Sequence, residues 1–203
     1  MKPSLGTGGA MELGLEGKVA IVGGASQGIG KAIARGLAEE GCALAICSRG
    51  REALEATAEE IRQATKREVI AIPCDMSRLE DIQRLVQETV LRFNRIDVVV
   101  NNAGGPPTGL FEAHDETAWK QALDQNLLSV VRLVREALPY LRRSANGRII
   151  NITSVAVKEP MDRLILSNSA RLGVIGLAKT LSRELGPSGI TVNNICPGKI
   201  ATG

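Results

Sequence analysis

The chain has 203 residues, of which 44% are hydrophobic and 23% are charged, a balance that favours one globular domain over a disordered chain. Its net charge of +3 comes without a basic tract, so we expect no nucleic-acid partner. No apolar run is long enough to cross a bilayer, so we expect no membrane partner either. The single histidine, His114, excludes sites that need several histidines, and Tyr140 is the only tyrosine available to any mechanism that needs a phenol.

Residues 1–14 contain four glycines and no apolar period, and they are predicted to form a flexible tail before a single domain over residues 15–203. Within that domain, short apolar runs alternate with longer amphipathic runs. The predicted strands lie at 18–23, 42–48, 69–73, 96–101, 148–152 and 190–195. The predicted helices lie at 28–40, 51–66, 78–93, 116–125, 127–143 and 163–185.

The strands are apolar throughout rather than alternating, which indicates burial on both faces of a parallel sheet. The helices between them are long enough to be right-handed crossovers. The sequence therefore predicts an α/β fold with a doubly wound parallel sheet, the Rossmann fold, in three αβα layers.

The four cysteines contain no CxxC pair and do not resemble a secreted disulfide framework. We interpret them as small buried hydrophobic residues, and this usage favours a cytoplasmic protein. A redox or metal-binding role remains the alternative. The four are Cys42, Cys47, Cys74 and Cys196.

A glycine-rich loop follows the first predicted strand and opens the first helix. Gly24, Gly28 and Gly30 allow a sharp turn and a close approach of backbone N–H groups to a pyrophosphate, beside the positive end of the helix dipole. A tight strand-to-helix turn without a ligand is the alternative, but this position after the first strand favours a dinucleotide site.

The end of the second strand bears on the choice of cofactor. A carboxylate there would bind the ribose 2′-hydroxyl of NAD, whereas an arginine accommodates the 2′-phosphate of NADP. Residues 43–50 contain no Asp or Glu but do contain Ser48 and Arg49. NADP(H) is therefore favoured over NAD(H). A solvated arginine at the start of a helix is the alternative.

Several motifs together resemble the short-chain dehydrogenase/reductase family, in particular its 3-oxoacyl-acyl-carrier-protein reductase branch. The glycine loop Gly24-xxx-Gly28-Ile29-Gly30 is joined by Asn101-Asn102-Ala103-Gly104 after the fourth strand. The resemblance spans residues 15–203. The remaining matches are Asp75, Asn126, Ser154 and Pro197-Gly198, each in the order the family has them.

The resemblance implies a cofactor site along the carboxyl ends of the strands, where an open parallel sheet binds its ligand. The implied phosphate contacts are Ser26, Gln27 and Ile29, and the adenine contacts are Asp75 and Met76. The implied ribose and nicotinamide contacts are Asn102, Ala103, Gly104, Arg171, Pro197, Gly198, Ile200 and Thr202.

The catalytic positions depart from the family, which uses Asn, Ser, Tyr and Lys, the last two as YxxxK. Here the four positions hold Asn126, Ser154, Ser167 and Arg171. Ser167 and Arg171 keep the i,i+4 spacing of one helix face. A serine hydroxyl is a far weaker acid than a phenol of pKa about 10, while an arginine still donates to a ribose and holds positive charge near an alkoxide.

Two functions follow from this departure. The first is an NADP(H)-dependent oxidoreductase that transfers hydride to or from a carbonyl or alcohol substrate, with a 3-oxoacyl thioester as one candidate. The second is a catalytically weak or inactive dinucleotide-binding sensor or scaffold. The resemblance implies a homodimer or homotetramer. Family members continue beyond the position of Gly203 into a substrate-covering segment, so we expect that the segment is missing here.

Overall fold

A computed structural model describes residues 12–200; most of the predicted tail, together with Thr202, lies outside them. It contains one six-stranded sheet in the order β3-β2-β1-β4-β5-β6, with every neighbouring pair parallel. The strands are β1 Val19–Gly23, β2 Ala43–Ser48, β3 Val69–Pro73, β4 Val98–Asn101, β5 Arg148–Ile152 and β6 Thr191–Ile195. The helices are α1 Gly28–Glu39, α2 Arg51–Thr65, α3 Leu79–Phe93, α4 Glu116–Leu123, α5 Ser129–Leu141 and α6 Ile165–Leu185.

The predicted doubly wound α/β fold is confirmed. One face of the sheet packs on α1 and α2, and the other packs on α3, α5 and α6, each with its own apolar core. β1 shows why the strands are apolar throughout, since all five of its residues are buried between the two helical layers. β6 differs because its side chains are exposed or half-buried along the edge of the sheet. No helix within residues 12–200 is long and apolar enough to span a membrane.

The cysteines fit the predicted packing role, with one exception. Cys42 and Cys47 lie on opposite faces of the sheet, in the two separate cores, and Cys74 is buried with Cys47. Cys196 is only half-buried, because it follows the exposed edge strand, where its Sγ lies 3.3 Å from Thr153 Oγ1.

The two helices predicted at 116–125 and 127–143 form one continuous path rather than two separate elements. α4 runs into α5 through a π-helical turn over Asp124–Leu128. A turn of this kind widens a helix by one residue and is common at functional sites. It places Asn126, which is 4% exposed, at the inner surface of the helix.

Asp97 joins three segments at the amino edge of the sheet. Its carboxylate accepts hydrogen bonds from Val19 N, Ser144 Oγ and the Arg95 guanidinium, at 2.6–3.0 Å. Burial favours the neutral form of the carboxyl, but these donors outweigh burial, so the pKa of Asp97 lies below its usual value. The ionised carboxylate therefore stabilises the fold at neutral pH.

Replacing this carboxylate by an amide, Asp97→Asn, is expected to lower the free energy of unfolding by about 1–3 kcal/mol at pH 7, because an amide cannot accept every one of these hydrogen bonds. The stabilisation by Asp97 is present above its unfolded pKa of about 3.9 and is lost as pH falls through the lower folded value. Urea titrations at pH 7 and pH 3 measure both effects, and the difference between wild type and variant should shrink at pH 3.

The control is Glu39→Gln, which removes an exposed i,i+4 ion pair with Arg35 and should change stability little. Equal losses in Asp97→Asn and Glu39→Gln would contradict the role given to Asp97.

Candidate functional site

An open cleft of about 850 Å³ lies at the carboxyl ends of the strands. The strand order reverses between the neighbouring strands β1 and β4, because β2 and β3 follow β1 on one side and β5 and β6 follow β4 on the other. This is the switch point at which open α/β sheets bind their ligands. The cleft brings together most of the residues predicted for the cofactor. These are Gly24, Ser26, Gln27, Gly28, Ile29, Gly30, Ser48, Arg49, Asp75, Met76, Asn102, Ala103 and Gly104.

The glycine loop is pressed against the end of β4. A Cβ atom on Gly24, whose φ is +58°, would lie 2.8 Å from Asn102 Nδ2, and one on Gly30 would lie 2.2 Å from Gly24 O. Asn102 Nδ2 donates to Gly23 O at 3.0 Å and so ties the loop to the segment that follows β4. Only glycine fits these two positions, so the loop keeps its backbone close to any ligand in the cleft.

The amino end of α1 opens into this loop. Gln27 precedes the helix without a side-chain cap, and the first turn contains no acidic residue. The N–H groups and the positive dipole end therefore face the cleft without a competing carboxylate from the helix itself. Together with the glycine loop, this arrangement fits the pyrophosphate of a dinucleotide.

Positive charge gathers at the ends of β2 and β3. Asp75 accepts hydrogen bonds from Ser77 N and Ser77 Oγ, at 2.9 and 2.7 Å. Burial works against its ionisation, but the Ser77 hydrogen bonds and the charges of Arg49 and Arg78 hold the pKa of Asp75 below its usual value. Within residues 12–200, no carboxylate oxygen lies within 4.0 Å of the Arg49 guanidinium. Arg49 is thus a cation at the cleft wall without an ion-pair partner there.

Arg171 crosses the floor of the site from α6. Its Nη1 donates to Ile152 O and Thr153 O at 3.0 and 3.1 Å, and its Nη2 lies 3.4 Å from Ala103 O. Burial lowers the pKa of this guanidinium, yet an arginine remains protonated near neutral pH. A half-buried cation is therefore held by backbone carbonyls at the ends of β4 and β5.

Ser167 lies one helical turn before Arg171 and is 8% exposed. Its Oγ accepts a hydrogen bond from Arg171 Nε at 3.1 Å. The i,i+4 pairing predicted for these two positions is therefore present as a direct contact. The contact leaves the serine hydroxyl one proton to donate, on a side chain that is almost completely covered.

Ser154 and Asn126 approach the site from different elements. Ser154 follows β5, and its Oγ accepts from Ala156 N at 3.1 Å, which leaves the hydroxyl proton free to point elsewhere. Asn126 and Arg171 line one small cavity beneath the cleft. The amide oxygen of Asn126 is buried without a hydrogen-bond partner among the described residues.

The predicted nicotinamide end is less closely assembled. Pro197 is tied to the segment of Ser154, since Val155 N donates to Pro197 O at 2.9 Å. A Cβ added at Gly198 would meet no atom within 4 Å, and Ile200 is 57% exposed. Neither Gly198 nor Ile200 lines the cleft.

Tyr140 does not reach the site. It packs at the end of α5 against the apolar core, with the Arg143 guanidinium 4.7 Å from its ring centre. His114 lies in the segment after β4, where its Nε2 is buried beside Gly109. Gly109 in turn pairs with Leu164 just before α6.

Sequence reasoning missed a ladder of asparagine amides that crosses the sheet near the site. Asn101 Nδ2 donates to Asn151 Oδ1 at 2.8 Å, and Asn151 Nδ2 donates to Asn194 Oδ1 at 2.9 Å. The only available signal was one asparagine at the same level of three neighbouring strands. The ladder pairs amides across β4, β5 and β6 and ties together the strand ends beside the site, although Asn101 Oδ1 is left without a hydrogen-bond partner among the described residues.

The glycine loop yields a direct test. Gly30→Ala is expected to weaken NADPH binding at least about tenfold, because its Cβ would lie 2.2 Å from Gly24 O and displace the loop. Isothermal calorimetry measures the affinity. Gly36→Ala is the matched control in the same helix, since nothing lies within 4 Å of its added Cβ. Unchanged binding in Gly30→Ala, or equal losses in both variants, would contradict a phosphate cradle.

Comparison with known proteins agrees with this geometry. A family model described as short chain dehydrogenase matches residues 18–203. The chain is 39% identical over 188 residues to a 3-oxoacyl-acyl-carrier-protein reductase of Staphylococcus epidermidis, covering 91% of this chain and 76% of that protein. It is 37% identical over 189 residues to the same enzyme of Synechocystis, covering 93% and 76%.

Solved structures give the same answer. L-sorbose reductase from Gluconobacter frateurii, in complex with NADPH and L-sorbose, superposes with a TM-score of 0.92 at 30% identity, over 95% of this chain and 73% of that one. A dehydrogenase/reductase from Sinorhizobium meliloti has a TM-score of 0.88 at 35% identity, over 92% and 74%. The chain therefore belongs to the short-chain dehydrogenase family of NAD(P)-dependent oxidoreductases and resembles its 3-oxoacyl-acyl-carrier-protein reductase branch.

Proposed function

We propose that this protein is an NADPH-dependent reductase of a small carbonyl substrate, with a 3-oxoacyl thioester as the first candidate. The observation that carries the cofactor choice is Arg49, a guanidinium at the cleft wall in a segment, residues 43–50, that contains no carboxylate. A guanidinium binds a phosphate through paired N–H donors, whereas a ribose 2′-hydroxyl is bound by a carboxylate.

The relatives support the substrate class. The 3-oxoacyl-acyl-carrier-protein reductases named above act, by their names, on a ketone next to a thioester. L-sorbose reductase was solved with NADPH, which agrees with the choice made from Arg49.

A bound nicotinamide supplies or accepts the hydride. The role of the protein's own residues is to polarise the substrate carbonyl and to stabilise the alkoxide that forms from it. The Ser154 hydroxyl accepts from Ala156 N and has its own proton left to donate to the carbonyl oxygen. The fixed charge of Arg171, held by Ile152 O and Thr153 O, stabilises negative charge as it develops nearby.

The proton that completes reduction comes from solvent in this proposal. Ser167 is too weak an acid to replace a phenol. Its contact with Arg171 does not raise its acidity enough, because loss of the proton would still leave an aliphatic alkoxide on the side chain. Arg171 does not release a proton near neutral pH. Water that reaches the open cleft then supplies the proton in place of Ser167 and Arg171. Turnover should therefore be slow relative to enzymes with a phenol at this position.

A second candidate function is a dinucleotide-binding sensor or scaffold without turnover. It is favoured by the Ser167–Arg171 contact and by the carbonyls that occupy the Arg171 guanidinium. These contacts build a rigid binding floor whether or not hydride transfer takes place. The two functions share the same cofactor cleft and differ only in whether bound NADPH is oxidised.

We also propose that the protein is cytoplasmic, because its cysteines are free thiols.

We propose in addition that the protein assembles as a homodimer or homotetramer through the outer faces of α5 and α6. Apolar exposure on those helices supports the assembly. Leu172 on α6 is 56% exposed, and Leu128, just before α5, is 37% exposed. A second copy of the chain would cover both side chains.

Single-turnover oxidation of NADPH tests the function. With excess protein and a panel of 3-oxoacyl thioesters, ketones and quinones, we expect oxidation with at least one substrate and at least about tenfold weaker binding of NADH. Arg49→Ala should weaken NADPH binding at least about tenfold and leave NADH binding nearly unchanged. Absorbance at the reduced nicotinamide band and calorimetry provide the two readouts.

The matched control is Arg183→Ala, an exposed arginine in the last turn of α6, which should leave both affinities unchanged. NADPH binding without oxidation by any substrate would favour the sensor or scaffold. Equal binding of the two cofactors by the parent, or no effect of Arg49→Ala, would overturn the cofactor assignment.

A further inference from the structure

Three sulfur atoms meet beneath the end of the cleft that carries Arg49 and Asp75. The thiol of Cys47, at the end of β2, lies 3.8 Å from Met76 Sδ. The thiol of Cys74, just after β3, lies 3.7 Å from the same Sδ. All three residues belong to the core that packs on α3, α5 and α6.

The two thiols share this one sulfur neighbour. The Cys74 thiol is the largest cause, ahead of burial, that raises the pKa of the Cys47 thiol. The Cys47 thiol is therefore protonated in the metal-free protein near neutral pH. Both sulfur contacts end on Met76 Sδ, so the thioether bridges the two thiols.

The spacing of the two thiols from Met76 Sδ matches a three-coordinate metal ion. Metal–sulfur bonds of about 2.3 Å, arranged in a trigonal plane, place the sulfurs about 4.0 Å apart. The two separations to Met76 Sδ are already within a few tenths of an ångström of that value. Thiolate and thioether ligands select soft ions such as Cu(I), whereas harder ions require oxygen or nitrogen ligands.

The surroundings favour a soft ion over a hard one. Within residues 12–200, no three His, Cys, Asp or Glu side chains come together as a metal site, so the Met76 thioether is needed to complete the set. Oδ1 of Asp75 accepts from both Ser77 N and Ser77 Oγ. Cys74 and Met76 line the cleft and provide a route of entry to the fully buried Cys47.

We propose that Cys47, Cys74 and Met76 form a site for one soft monovalent metal ion of the Cu(I) class. On binding, the two S–H bonds break and both protons leave to solvent, while two metal–thiolate bonds and one metal–thioether bond form. The ion keeps its oxidation state. The bound site carries one net negative charge, which the nearby guanidinium groups of Arg49 and Arg78, already felt by Asp75, partly compensate.

The test uses Ag(I) as a stable probe of the same class, added to the full chain under nitrogen with a non-thiol reductant. The half-buried Cys196 is first removed as Cys196→Ser, so that its thiol does not compete. We expect one ion per chain, a thiolate-to-metal absorption band, and two protons released in weakly buffered solution. Cys47→Ser and Cys74→Ser should each abolish this one-to-one binding.

Met76→Leu keeps an apolar side chain of similar volume and should weaken Ag(I) binding at least about tenfold, so the proposal stays testable if a cysteine variant does not fold. Cys42→Ser is the matched control, because Cys42 is equally buried but lies in the opposite core and donates to Leu15 O. It should still bind one ion. Circular dichroism checks the fold of every variant.

The proposal is overturned if the parent binds no stoichiometric Ag(I), or if folded Cys47→Ser, Cys74→Ser and Met76→Leu all bind it as the parent does. Loss of binding in Cys42→Ser equal to that in Cys47→Ser would overturn it as well, because that result would indicate a general effect of losing a buried thiol.

Discussion

One half-buried guanidinium ties α6 to the sheet. Arg171 extends from α6 to the backbone carbonyls of Ile152 and Thr153, with Ala103 O at its other nitrogen. A cation that is partly removed from water needs hydrogen-bond acceptors around it, so the ends of β4 and β5 must remain where these carbonyls converge. The floor of the site, and with it the position of Ser154, depends on this constraint.

The other half of the cleft is held in the same way, by one polar side chain that bonds to backbone. Asn102 donates to Gly23 O, and the loop glycines leave no space between that loop and β4. The glycine loop and the Arg171 end of the site are therefore both anchored on the segment that follows β4. These contacts involve neither a phenol nor a lysine. Under the proposed function, cofactor binding and chemistry are separable in this chain, because the cleft is formed without a phenol and the resemblance aligns Ser167 with the family's tyrosine.

Sequence reasoning gave the fold almost in full, since apolar strands and amphipathic helices alternate without interruption. The glycine loop and Arg49 could be placed at the cleft because parallel strands end at a common edge. Three features could not be predicted. The π-helical turn around Asn126 has no sequence signature. The carbonyl contacts of Arg171 depend on tertiary packing. The contacts of Cys47 and Cys74 with Met76 join the ends of two strands, and a sequence does not specify the register between those strands.

In the proposed function, hydride transfer in this site uses solvent rather than a titrating side chain as the proton donor. The pH dependence of the single-turnover rate of NADPH oxidation between pH 5.5 and 8 tests this. Because the serine hydroxyl of Ser167 and the guanidinium of Arg171 do not titrate there, we expect a rate without a titration step. A titration step in this range that is abolished by His114→Gln would contradict solvent as the donor and would assign the proton to the only histidine in the chain.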